Sequence, residues 1–214
     1  MSFTDTLVPH PLLANVAIDF FRKGGPIMWP IAVVSFFSVC ILFERLWWWL
    51  QCARSRQPRV LDSVLEALEA NDVARAQSLS ANSSDPVLRV VNAGLNHRHS
   101  SLQGAVQAAA GIELRSAGRY LTAMDTIITL APLLGLLGTV TGIMGSFQSI
   151  GSSELAVEKV TGGIGEALIA TACGLGIAII TLVPYNWFHA KVAALQHDIE
   201  TAASNVEVFV AAHK

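Results

Sequence analysis

Charged residues are scarce in this chain. Asp, Glu, Lys and Arg make up 14% of its 214 residues, whereas hydrophobic residues make up 52%. A soluble domain carries about 25% charged residues, so the deficit favours a membrane protein. The formal net charge is −2, and the lack of a basic surplus argues against nucleic acid as a partner.

Catalytic and metal-binding motifs are also missing. The three cysteines, Cys40, Cys52 and Cys173, share no short spacing, which supports neither a disulfide framework nor a zinc site. His97 and His99 lie two residues apart, so a helix would point them to different faces. The sequence contains no nucleophile elbow, phosphate-binding loop or HExxH motif. We therefore predict that the protein is not an enzyme and uses neither a cofactor nor a metal.

The sequence contains long apolar runs. The first run, IMWPIAVVSFFSVCILF, covers residues 27–43 and is followed by Glu44, Arg45 and the tryptophans 47–49. Aromatic residues beside a charged pair are typical of a membrane interface, so this run predicts a first membrane span. Before it, the N-terminus lacks the basic region of a cleavable signal peptide. Residues 12–21 are expected to form either an interfacial helix or a loosely ordered segment.

Two further runs are long enough to cross a bilayer. Residues 126–153 contain no Asp, Glu, Lys or Arg over 28 positions. In GEALIATACGLGIAIITLVPYN, residues 165–186, the carboxylate of Glu166 precedes 24 uncharged residues, 167–190. At ~1.5 Å per residue such a stretch gives ~36 Å of helix, which exceeds the hydrocarbon core of a bilayer. Both runs therefore predict transmembrane helices.

Basic residues predict the orientation of the spans. Eight of the 14 Lys and Arg residues lie between residues 51 and 125, whereas the segment between the second and third spans holds only Lys159. Loops rich in Lys and Arg are typically cytoplasmic. We therefore predict a periplasmic N-terminus and a cytoplasmic C-terminus.

Together these features predict an all-α membrane protein with three transmembrane helices. A helical cytoplasmic domain is expected from the loop between helices 1 and 2 together with the C-terminal tail. The predicted segments are a periplasmic or interfacial N-terminal segment (1–25), transmembrane helix 1 (26–50), the cytoplasmic helical domain (51–125), transmembrane helix 2 (126–150), a short periplasmic loop (151–163), transmembrane helix 3 (164–188) and a cytoplasmic C-terminal helix (189–214).

Helix signals recur between the first two spans. Apolar residues at helical spacing predict a helix over 60–70, and the pairs at 71–72 and 85–86 each predict the start of another. From Ser101 no proline occurs until Pro132, which predicts one long helix running into the second span.

Small residues form a stripe along one face of each of the last two spans. The stripes comprise Pro132, Gly135, Thr139, Gly142 and Ser146, with Gly138 and Gly145 beside them, and then Ala167, Thr171, Gly174, Ala178 and Thr181. Small residues let membrane helices approach closely, and threonine hydroxyls bond across such a contact or face a polar cavity. Either helix packing alone or a polar pathway accounts for the stripes.

Glu166, at the head of the third span, also has two explanations. A carboxylate near a helix N-terminus is favoured by the helix dipole at the membrane surface. A carboxylate inside the membrane costs roughly 2.5–3.5 kcal/mol or more and usually signals function. Pro132 and Pro184 each free a carbonyl one turn earlier, which a nearby polar group must satisfy.

Two motifs resemble a known family. LAPLLGLLGTVTGIMGSF, residues 130–147, is followed by GGIGEALIATACGLGIAIITLVPYNWF, residues 162–188. They closely resemble the ExbB/TolQ/MotA proton-channel family, nearest to ExbB and TolQ, and GGPIMWPI and ILFERLWWW near the first span fit the same group. The resemblance implies a multi-pass subunit of a motor in the bacterial inner membrane.

The resemblance also implies partners and site residues. The expected assembly is a homo-oligomer, a pentamer, around the single spans of two ExbD- or TolR-like partners, and it acts through a TonB- or TolA-like protein. By motif position the polar pathway falls on Thr139, Glu166 and Thr171, with Thr141 and Thr181 as further pore-lining hydroxyls. Thr141 departs from the family, where a bulky aromatic often stands. The cycling carboxylate is expected to be an Asp of the partner.

The function expected from the resemblance is coupling of the proton motive force to energised transport across the outer membrane through TonB. One alternative is a TolQ-like subunit for envelope maintenance, and another is a membrane scaffold that conducts nothing. Only a channel needs a titratable group and hydroxyls. The predicted packing and kink residues fit all three: Pro132, Gly135, Gly138, Gly142, Gly174 and Pro184.

Overall fold

The computed structural model describes Phe21 and residues 24–98, 100–148 and 156–212. The helices are α1 (Met28–Ser55), α2 (Pro58–Glu69), α3 (Val73–Ser80), α4 (Pro86–Asn96), α5 (Leu102–Ala117), α6 (Leu121–Gln148) and α7 (Ala156–Ala212). No strand occurs within these ranges, and the predicted all-α class is confirmed. The expected interfacial helix at 12–21 lies outside the described residues except for Phe21.

Three helices are long and apolar enough to cross a membrane, namely α1, α6 and α7. They correspond to the three predicted spans. The 57 residues of α7 form one helix of about 85 Å, far longer than a bilayer is thick. The third span and the C-terminal helix predicted after it are therefore parts of one continuous element.

The shorter helices begin where side chains accept hydrogen bonds from free backbone N–H groups. Asp72 Oδ1 accepts from Arg75 N at 2.9 Å before α3, and Asp85 Oδ1 accepts from Val87 N at 2.9 Å before α4. Such capping satisfies donors that have no partner inside the helix. Both starts match the positions predicted from the sequence.

The prediction of one long helix from Ser101 into the second span is wrong. Residues 118–120 interrupt the chain between α5 and α6, and Tyr120 has a φ of 65°. Arg45 Nη1 donates to Ser116 O at 3.0 Å and to Ala117 O at 3.4 Å, at the end of α5. Because this guanidinium satisfies carbonyls that a continuing helix would have bonded, the helix can end there.

The chain folds into two compact units, and the first contains the described residues up to Ile41 together with Ala123–Val183. Its core is built on Met28, Ile31 and Ala170, which are buried. Partly buried apolar side chains surround them: Phe21, Ile27, Leu134, Cys173 and Ile177. The start of α1 therefore packs with the middle of α6 and with residues 170–177 of α7.

The second unit contains residues 42–122 and the part of α7 from Pro184 onwards. Arg56 pairs with Asp198 of α7 at 2.5 Å, and the buried Asp85 accepts from Gln57 N at 2.7 Å. The segment between the first two spans and the tail of α7 thus belong to one helical unit.

Candidate functional site

The small-residue stripes of α6 and α7 face each other within one chain. A methyl group added at Gly135 would lie 2.9 Å from Thr171 Cα, and one added at Gly142 would lie 3.0 Å from Ala167 Cβ. At Gly174 it would meet the carbonyl oxygen of Ala131. These separations are shorter than carbon contacts tolerate, so the two antiparallel helices approach closely only because the side chains are missing.

Ile27, the residue before α1, closes over this contact. A methyl group at Gly138 would lie 2.7 Å from Ala170 Cβ and 2.8 Å from Ile27 Cγ2. Gly138 therefore marks a point where all three spans meet. The two predicted kink prolines, Pro132 and Pro184, lie inside unbroken helices.

Thr171 joins α7 to α6. Its hydroxyl donates to Gly135 O at 2.8 Å, and the side chain is half-buried. Thr139 and Thr141 instead donate along their own helix, to Leu136 O at 2.7 Å and to Leu137 O at 2.9 Å. Of these three hydroxyls only that of Thr141 lies on an exposed side chain.

Thr181 lies deeper than a pore-lining position suggests. It is fully buried, and its Oγ1 lies 2.7 Å from Ser38 Oγ of α1 and donates to Ile177 O at 2.7 Å. A hydroxyl has one proton to donate, so Ser38 is the donor between the two side chains. Sequence reasoning missed Ser38, although a serine inside the apolar first span was a signal.

Glu166 lies well inside α7. It comes ten residues after Ala156, where the helix begins, which is about 15 Å along the axis. The helix dipole acts within the first turn, so it does not account for a carboxylate at this depth. Glu166 is half-buried, and its carboxylate occupies the space where a side chain of Gly25 would stand.

The three predicted polar residues of α7 are spread along this helix and do not form one cluster. Glu166 and Thr171 are five residues apart, about 7.5 Å of helix, and Thr181 lies about 15 Å beyond Thr171. Within the described ranges no group of three His, Cys, Asp or Glu side chains could hold a metal ion.

Large apolar side chains remain exposed on the outer faces of the spans. On α6 and α7 they include Leu133, Leu137, Val140, Met144, Leu168, Leu175, Ile179 and Val183. A soluble protein rarely exposes such a surface, whereas lipid or another membrane helix covers it without cost. Three packed spans with a half-buried carboxylate and buried hydroxyls define a polytopic membrane protein.

A sequence profile of the MotA/TolQ/ExbB proton channel family matches residues 82–201, and the chain belongs to this family. It is 34% identical to an ExbB-like protein of Synechocystis sp. over 85% of this chain and 75% of that protein. It is 28% identical to the biopolymer transport protein ExbB of Neisseria gonorrhoeae, over 88% of this chain and 94% of that protein.

A third relative is the Tol-Pal system protein TolQ of Haemophilus influenzae, which is 37% identical over 44% of this chain and 42% of that protein. Members of this family are channel and transport-motor subunits, not enzymes. The chain is accordingly a multi-pass inner-membrane protein of the proton-channel type that serves biopolymer transport.

Proposed function

We propose that this protein is the ExbB-like channel subunit of a motor that couples the proton motive force to transport across the outer membrane through a TonB-like protein. The likeness to the ExbB protein of Neisseria gonorrhoeae extends over 88% of the chain and favours this role. The likeness to TolQ covers 44% of the chain and makes a TolQ-like role in envelope maintenance the second candidate.

One observation carries the proposal: the third span keeps a carboxylate inside a packed bundle. Glu166 is the only Asp, Glu, Lys or Arg within residues 126–148 and 161–190. It lies ten residues inside α7 and is half-buried against Gly25, in the turn before α1. Because an intramembrane carboxylate is costly, its presence supports a channel over a passive scaffold.

In this proposal Glu166 and the threonines line a hydrated path shared with a partner helix. Thr139, Thr141 and Thr171 can each accept a hydrogen bond from water while donating to a backbone carbonyl. One carboxylate makes an incomplete relay, so the group that alternates between charged and neutral states is an Asp on an ExbD- or TolR-like single-span partner. Thr181, which is buried against Ser38, stabilises the bundle beside the path.

We propose a homopentamer around two such partner helices. Since the small stripes are occupied within each chain, the contacts between copies use the large apolar residues exposed on the outer faces of the spans. The basic segment 51–125 and the tail after 188 lie in the cytoplasm, and the N-terminus lies in the periplasm.

The test replaces the polar side chains by near-isosteres. We expect Glu166→Gln and Thr171→Val to abolish TonB-dependent uptake in cells whose own subunit is deleted, while the complex still assembles. Glu200→Gln and Thr129→Val are matched controls, because both side chains are exposed and bond within their own helix. If the variants instead keep uptake but make the same cells sensitive to detergent, the result would indicate the TolQ-like role.

The proposal is wrong if Glu166→Gln and Thr171→Val both keep full activity in the uptake assay and in the detergent assay. It is also wrong if the purified subunit alone conducts protons in liposomes, because the path would then need no partner.

A further inference from the structure

The turn before α1 is built from two glycines. Gly25 has a φ of 70°, in the left-handed region where glycine carries no steric penalty, and its carbonyl accepts from Met28 N at 3.1 Å. A Cβ atom built on Gly25 would overlap Glu166 Oε1 and would lie 3.0 Å from Glu166 Cγ. The Glu166 side chain therefore occupies the space that the side chain of any residue other than glycine would need at position 25.

Contacts on both sides hold this turn in place. A methyl group at Gly24 would lie 2.5 Å from Met28 Cγ and 3.3 Å from Ile169 Cγ2, one turn beyond Glu166 on α7. Met28 follows Pro26 by two residues and is buried in the core of the first unit with Ile31 and Ala170. Because its neighbours are packed, the turn cannot retreat from the carboxylate without disturbing the core.

We propose that Gly25 is a positioning residue for Glu166, and that its missing side chain forms the cradle in which the carboxylate is held. A free glutamate side chain samples many rotamers, whereas one seated against a fixed backbone keeps a single position. The inference rests on the proposed role of Glu166 in the proton path. It adds that the turn before α1 determines where this carboxylate lies.

The test adds a side chain to the cradle with only a small backbone penalty. Asparagine tolerates a positive φ, and Asn71 of this chain has a φ of 58°. We expect Gly25→Asn to lower TonB-dependent uptake by about tenfold while the complex assembles. Glu166→Asp, one methylene shorter, should relieve the overlap, so Gly25→Asn/Glu166→Asp should be more active than Gly25→Asn alone. A purely structural role for Gly25 predicts no such rescue.

Gly165→Ala is the matched control. It adds a methyl group next to Glu166, where nothing lies within 4 Å of the new atom, and uptake should be retained. The proposal is overturned if Gly25→Asn is fully active while Glu166→Gln is inactive, or if Gly165→Ala is as damaging as Gly25→Asn. Full activity of Glu166→Gln would instead overturn the proposed function itself.

A proximity measurement decides the matter if Gly25→Asn does not assemble. In a background without the three native cysteines, Gly25→Cys and Glu166→Cys should form a disulfide on oxidation of membranes, because residue 25 Cβ and the γ position of residue 166 are 3.0 Å apart. Absence of this disulfide overturns the cradle.

Discussion

Single hydroxyl groups in the spans differ in what they hold together. Thr141 bonds to its own helix on an exposed side chain, whereas Thr181 and Ser38 bond to each other between α7 and α1 where both are buried. Hydrogen bonds between membrane helices contribute about 0.6 kcal/mol on average and up to about 1.7 kcal/mol. The Ser38–Thr181 pair is therefore expected to stabilise the bundle measurably.

We expect Thr181→Val to lower the free energy of unfolding by about 1 kcal/mol, because it leaves the buried Ser38 hydroxyl without this acceptor. Ser38→Ala should cost less, since Thr181 still donates to Ile177 O. Thermal unfolding in detergent of both single variants and the double variant measures the coupling, and Thr141→Val is the exposed control. Strictly additive effects would show that the two hydroxyls do not stabilise each other.

At the scale of elements, glycine determines how close α6 and α7 come. Gly174 and Gly176 lie two residues apart on α7, but a methyl group at Gly174 meets Ala131 O and Gly135 Cα, whereas one at Gly176 meets nothing within 4 Å. Only the first of these glycines is needed for helix packing. Substituting each glycine in turn therefore separates the effect of helix packing on stability from the effect of helix propensity.

Gly174→Ala should destabilise the protein by about 1–3 kcal/mol, since the added methyl forces the helices apart. Gly176→Ala should be neutral or slightly stabilising, because alanine is the better helix former. Unfolding of both variants by heat in the same detergent provides the comparison. Equal stabilities for the two variants would mean that the close approach of α6 and α7 contributes nothing.

Local signals predicted most of these elements. Asp72 and Asp85 mark helix starts because a side chain within three residues supplies the hydrogen bond, and apolar length alone marks the spans. The break before Tyr120 could not be predicted, because it depends on Arg45, which lies more than 70 residues away along the chain. The contact between Gly25 and Glu166 could not be predicted either, because the two residues lie far apart along the chain. The two glycines before Pro26 were nevertheless a signal of an unusual turn.

At the scale of the whole molecule, the sequence predicts sidedness more firmly than assembly. Basic residues crowd segment 51–125 and almost vanish between the second and third spans. The threonines and glycines of the two stripes are used inside one chain. Sequence alone could not distinguish this from contacts between copies, because both arrangements need small residues.

Labelling of intact cells tests the sidedness. In a background without native cysteines, Ser153→Cys should react with an impermeant thiol reagent, because the segment between the last two spans is expected in the periplasm. Ser84→Cys, at an exposed position of the second unit, should react only after the cells are opened. Labelling of Ser84→Cys but not Ser153→Cys in intact cells would reverse the topology.

The bond from Thr171 to Gly135 O restricts which way water can be oriented beside it. Since the single hydroxyl proton is given to that carbonyl, any water molecule bound to Thr171 must point one of its own hydrogens at the oxygen. For Thr171 to donate to water instead, its hydroxyl must rotate away from Gly135 O, and that rotation would remove the hydrogen bond that joins α7 to α6.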